Sequence, residues 1–232
     1  MKVRIKFRKF GVMKFIGHLD IMRYFQKAMR RANIPIAYSQ GYSPHMIMSF
    51  ANPLGVGLTS DGEYFDIELK ESITSETAVK QLNEVMVAGI EILSFVELLD
   101  SQKTGMAIVA AADYLVIPKE YEMTENFLAS LNKFIAEEHV VIMKKTKKSF
   151  REVDIRPLIY KMKVEDNKVF MQVATGSVEN LKPELVMEAV LEYAGLEKES
   201  IRFNYHRVEV YAESGKEGQA FISLEDLGVE IK

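Results

Sequence analysis

Twice along the chain the hydrophobic pattern runs strand, helix, strand, strand, helix, strand, and that order restricts the fold more than any other feature. Val3-Arg4-Ile5-Lys6-Phe7-Arg8 alternates with period two, as a half-buried strand does. Residues 18–33 then read as a helix, with an apolar stripe of Leu19, Met22, Phe25, Met29 and Ala32 and a cationic face of Arg23, Lys27, Arg30 and Arg31. Asp20 in the first turn suits the helix dipole, and Pro35 ends the helix. A loop at 38–45, a strand at 46–51, an Asp61-Gly62 turn and a strand at 64–69 follow. The spacing predicts a helix over 76–88 with Thr74 or Ser75 as its cap and Gly89 just beyond, then a strand through Ile90, Ile92, Phe95 and Val96.

The second pass has a strand within 106–118, a helix within 124–137, a strand at 140–143 and a hairpin over 156–176 that turns at Glu165-Asp166-Asn167. A helix opens at Pro183 and stops at Gly195, and a strand carries Ile201, Phe203, Tyr205, Val208 and Val210. The expected fold class is therefore α+β, with two tandem ferredoxin-like βαββαβ halves built on antiparallel sheets. The halves are placed at 1–100 and 105–212, and the Gly- and acid-rich stretch 213–232 is expected to be a tail.

The net charge of −3 conceals an asymmetry. Residues 1–50 hold ten Lys or Arg against one acid, Asp20, a net +9, which leaves −12 for the remainder. A positive end on an acidic body points to local recognition of an anion. No apolar run approaches the roughly 18 residues of a membrane span, no signal-peptide core is present, and the cytoplasm is the expected compartment. The chain has no cysteine, which excludes disulfides, thiol catalysis and cysteine-ligated zinc or Fe–S clusters in this chain.

Four histidines occur, at 18, 45, 139 and 206, with no spacing that marks a metal site, and no metal is expected. His18 and His45 lie in turn-like segments and are the candidates for acid–base chemistry. The row Arg23, Lys27, Arg30, Arg31 has the spacing to follow phosphates, and Tyr38 and Tyr42 in the adjoining loop suit stacking on unpaired bases. A second basic cluster includes Lys147, Lys148 and Arg151, which suit a further phosphate contact or a solvated hairpin tip. Gly55-Val56-Gly57 lacks the Gly-Lys-Ser/Thr ending of a nucleotide-binding loop.

The run from Lys14-Phe15-Ile16-Gly17-His18-Leu19-Asp20 through Ile34-Pro35-Ile36-Ala37-Tyr38-Ser39-Gln40-Gly41-Tyr42-Ser43-Pro44-His45, together with Arg151-Glu152-Val153-Asp154-Ile155-Arg156-Pro157-Leu158-Ile159, resembles the radical-SAM-linked proteins of unknown function. The resemblance implies a radical-SAM enzyme as partner, with S-adenosylmethionine, an Fe–S cluster and cobalamin held by that enzyme and no cofactor in this chain. It also implies work around RNA modification or processing, or the ribosome. The expected function is thus an RNA-binding accessory subunit. Two alternatives stay open: a metal-independent RNA-cleaving enzyme using His18 or His45, and a protein-interaction module for the radical-SAM enzyme that does not touch RNA.

Overall fold

The computed structural model describes every residue except Asp100, 121–122 and 146–149. The N-terminal half holds β1 (Lys2–Lys9), α1 (His18–Arg31), β2 (Met48–Phe50), β3 (Thr59–Glu68), α2 (Ser75–Val85) and β4 (Ile90–Leu98). The one-turn α3 (Gly105–Ile108) leads into β5 (Val109–Pro118), α4 (Glu125–Ala136), β6 (Val141–Lys145) and β7 (Phe150–Asp154). Then come β8 (Ile159–Glu165), β9 (Lys168–Ala174), α5 (Pro183–Tyr193), β10 (Phe203–Lys216), β11 (Gln219–Ser223) and β12 (Val229–Glu230). The architecture is α+β, and among the described residues ten strands form one large, mostly antiparallel sheet. Among the described residues no helix is long and apolar enough to cross a membrane.

The sheet runs β12-β4-β1-β3-β10-β5-β9-β8, with β2 added to β3 and β11 to β10. A separate sheet for each half was expected, and the structure joins them. β2 covers β3 only at residues 65–67, so the start of β3 would be an open edge. β10 closes it with a short parallel ladder, Thr59 opposite His206 and Ser60 opposite Arg207. The strand expected at 140–143 also differs. Among the described residues β6 pairs only with β7, in a two-stranded sheet of its own, and β8 takes the edge place beside β9. Residues 213–232 are not a tail. They complete β10, return as β11, bury Leu224 and end with β12 paired to β4 in the opposite half.

Local chemistry accounts for much of the rest. Thr74 and Thr124 accept hydrogen bonds from the backbone N–H of Thr77 and Phe127 and so cap α2 and α4. Pro183 opens α5, where its missing N–H costs nothing. Asp166 and Asn167 both take positive φ (46° and 58°), the geometry that a two-residue hairpin between β8 and β9 demands.

Helices α1 and α2 pack on one face of the N-terminal half, against Val3, Ile5 and Phe7 of β1, Phe65 and Ile67 of β3, and Ile92 and Phe95 of β4. Helices α4 and α5 close the second core, over β5, β9 and β10. The expected stripe of α1 is met at Phe25, Met29 and Ala32, which are buried, and at Met22, which packs against the core, and Ile21 and Ala28 join them; Leu19 alone departs from it, at 61% exposed. Ile21, Phe25 and Ala28 follow the i, i+4, i+7 spacing of one face, and Leu19 falls on the outer side with Arg23 and Arg30.

Candidate nucleic-acid interface

The period-two alternation of β1 decides where three of the ten N-terminal cations, Arg4, Lys6 and Arg8, go. Its apolar residues face α1 and α2, so Arg4, Lys6 and Arg8 must point to the other face, and acids from distant parts of the chain meet them there. Arg4 donates from Nε and Nη2 to Asp66 at 2.8 and 3.0 Å and from Nη1 to the Leu224 carbonyl at 3.1 Å. Lys6 Nζ bridges Glu209 and Glu225 at 2.7 and 2.9 Å. Burial works to lower the Lys6 pKa, but these two carboxylates raise it above that of a free lysine. Arg8 binds Asp61 at 2.8 Å and Glu91 at 3.3 Å, and Asp61 also meets His206 Nε2 at 3.1 Å. Burial acts to raise the Asp61 carboxyl, but the hydrogen bond from Arg8 and the neighbouring His206 bring it below the usual carboxylate range.

Lys9 is buried at the seam of the two halves, where Nζ donates to the Ile16 carbonyl at 2.8 Å. Burial lowers its pKa, partly offset by Glu63. Beside it Arg207 holds Glu63 at 2.9 Å, the Asn52 carbonyl at 2.8 Å and Tyr114 Oη at 3.1 Å. Part of the apparent +9 is therefore internal to the fold. Arg4, Lys6 and Lys9 join the halves and clamp the C-terminal return, while Arg8 is held in ion pairs at the surface.

The α1 cations behave differently. Arg23 is 68% exposed and touches only Asp20, one turn earlier, at 3.3 Å, a contact worth little in water. Lys27 and Arg30 are exposed and have no partner among the described residues. Arg31 is the exception, because its Nη2 donates to the Val85 carbonyl at 2.9 Å and so closes the end of α2. Arg23, Lys27 and Arg30 therefore form the outward row, about 10 Å long at 1.5 Å per residue.

Exposed apolar groups lie in the chain segments before and after α1. At the start of α1, Val12, Phe15, Leu19 and Val56 are 75%, 63%, 61% and 61% exposed. The Gly57 N–H donates to the Lys14 carbonyl at 2.8 Å and draws the 55–57 loop against this segment. Lys14 Nζ lies 5.2 Å from the centre of the Phe15 ring. At the other end, the loop after α1 returns through backbone pairing of Tyr38 with Met46. Tyr42 stands free at its tip, whereas the Tyr38 ring lies 5.0 Å from Lys70 Nζ. Phe15 was not singled out from the sequence. Its signal was an aromatic in a turn segment between Gly11 and Gly17, where a core residue is not needed.

The remaining candidates separate. His18 sets its ring edge-on against Phe50 at 5.1 Å, and burial, then nearby Lys9, hold its pKa below the 6.5 of a free histidine. His45 exchanges hydrogen bonds with Ser39 in the exposed loop. Phe50 lies five residues beyond His45 along an extended segment, which puts the two imidazoles on the order of 15 Å apart. They do not form an acid–base pair. Arg151 is exposed on β7, in the other half from α1, and Lys147 and Lys148 lie outside the described residues. Among the described residues no three His, Asp or Glu side chains gather to hold a metal ion.

Residues 2–183 match the family described as "Uncharacterized protein conserved in bacteria (DUF2344)", and the chain belongs to that family. A search of curated proteins gave no match. Among solved structures, a chain of a Cbf5-Nop10-Gar1 complex is similar at 10% identity and a TM-score of 0.47, over 90% of this chain. The match spans about half of that chain, 48%.

Proposed function

We propose that this member of the DUF2344 family is a cytoplasmic RNA-binding accessory protein whose two halves are ferredoxin-like repeats. In this reading it serves a radical-SAM enzyme in RNA modification or processing, or in ribosome-related metabolism. The observation that carries the reading is the contrast between the two sets of N-terminal cations. Arg4, Lys6 and Arg8 on β1 are engaged by acids of the chain, while Arg23, Lys27 and Arg30 remain outward in a row, with Phe15 exposed just before α1 and Tyr42 exposed in the loop that follows it. A row of outward cations follows a phosphate backbone, and exposed rings near it supply the stacking that unpaired RNA bases use. The repeat reading draws support from the strand orders β4-β1-β3-β2 and β10-β5-β9-β8, which are the same permutation in each half. The partner, not this chain, would bring the Fe–S cluster, S-adenosylmethionine and cobalamin, since the chain has no cysteine to hold a cluster.

Crosslinking in the native cell tests this reading. The expected result is a defined RNA attached to the wild-type protein and lost from the Lys27→Glu/Arg30→Glu variant. Equal recovery of RNA from both would overturn it. Arg31 is left out of the variant because it closes α2.

A second reading, a protein-interaction module, is favoured by a different surface. On the β6–β7 hairpin Val141, Met143 and Phe150 are 59%, 61% and 64% exposed, and with α5 they line a cleft of about 590 Å³. Recovery of a radical-SAM enzyme free of RNA, with contacts mapped to this cleft, would favour it.

A further inference from the structure

We infer that the α1 ridge takes single-stranded RNA, with one unpaired base stacked on Phe15, an inference that rests on the RNA-binding reading above. The Phe15 ring is 63% exposed, although its neighbours Met13 and Ile16 both pack against the core. The turn therefore had apolar positions available inside and still presents its largest ring to solvent. Lys14 Nζ lies 5.2 Å from the ring centre, so the aromatic surface already carries a cation that suits a neighbouring phosphate.

From Phe15 the outer side of α1 leads through Leu19 to Arg23, Lys27 and Arg30. That is a stacking platform followed by one narrow row of positive charge, as single-strand binding surfaces are built. Duplex RNA fits this surface poorly. Its bases are paired and stacked within the helix, and its deep, narrow major groove does not admit side chains. A single row of cations follows one strand. Charge complementarity names the occupant: the row holds three outward cations, and its one acid, Asp20, is bonded to Arg23.

The test is binding of the full chain to a short labelled RNA and to the duplex made with its complement, across a salt series. Phe15→Ala is expected to weaken the single strand roughly tenfold and to leave its salt slope unchanged, because stacking carries no counterions. Affinity for the duplex is expected not to move. Phe15→Tyr keeps the ring and should keep the affinity, while Phe15→Leu should behave like Phe15→Ala. Equal losses on both RNAs, no loss on either, or full affinity with Phe15→Leu would overturn the inference and leave the RNA-binding reading standing. If Lys27→Glu/Arg30→Glu changes neither RNA, the RNA-binding reading falls, and this inference with it.

Discussion

Replacing Arg4 by methionine should be among the most damaging single changes in the chain, although by composition Arg4 is one of ten N-terminal cations. Its side chain is 1% exposed. It supplies two hydrogen bonds to Asp66 and one to the Leu224 carbonyl. Methionine would leave Asp66 buried with the Gly105 N–H still donating to it at 2.7 Å and without the guanidinium beside it. Breaking one partner out of a buried ion pair costs about 3–5 kcal/mol. For a chain of this size each kcal/mol shifts the thermal midpoint by about 2–4 °C, so calorimetry should show a fall on the order of 10 °C. The double variant Arg4→Met/Asp66→Leu removes the orphaned charge and should recover most of the loss. It should stop short of wild type because the Gly105 N–H then lacks its acceptor. Lys27→Met, on the outward row, should change stability by no more than about 0.5 kcal/mol. A fall below about 1 kcal/mol for Arg4→Met, or an equal fall for Lys27→Met, would refute the division of the cations into internal and outward sets.

Thr74→Ala removes the cap of α2 and should cost about 1 kcal/mol by urea titration. Asp154 accepts from His139 and from the backbone N–H groups of Val140 and Arg156, which together lower its carboxyl to about 2. A carboxylate depressed in the folded state contributes stability above its unfolded value that is lost as pH falls through the folded one. The amides of Val140 and Arg156 should therefore lose their hydrogen-exchange protection between about pH 4 and pH 2, and Asp154→Asn should abolish that step. His18, held neutral by burial, should titrate in NMR below the 6.5 of a free histidine. Since its folded value is the lower one, the protein should lose stability as pH falls from 6.5 through that midpoint.

What could be read from the sequence was what local chemistry decides. The alternation of β1, the limits of α1, the Thr74 cap, Pro183 at the start of α5 and the Asp166-Asn167 turn each depend on a few adjacent residues. The parallel ladder between β3 and β10 joins residues far apart in the chain and leaves no periodic trace. The return of 213–232 to β4 is equally non-local. Charge counting met the same limit. Arg4 and Lys6 lie in the basic half of the tally, but Asp66, Glu209 and Glu225, which neutralise them, lie 62, 203 and 219 positions away. Phe15 was overlooked because an isolated aromatic gives no periodicity until its exposure is known.

The most direct test of the account is the salt dependence of RNA binding by wild type and by Arg23→Gln/Lys27→Gln/Arg30→Gln. Three phosphate-neutralising cations contribute a slope of about −2 in log K against log salt for a single strand. The triple variant should lose this part of the slope while its fold stays intact. An unchanged slope would mean that the outward cations of α1 do not meet RNA, and would contradict the RNA-binding reading.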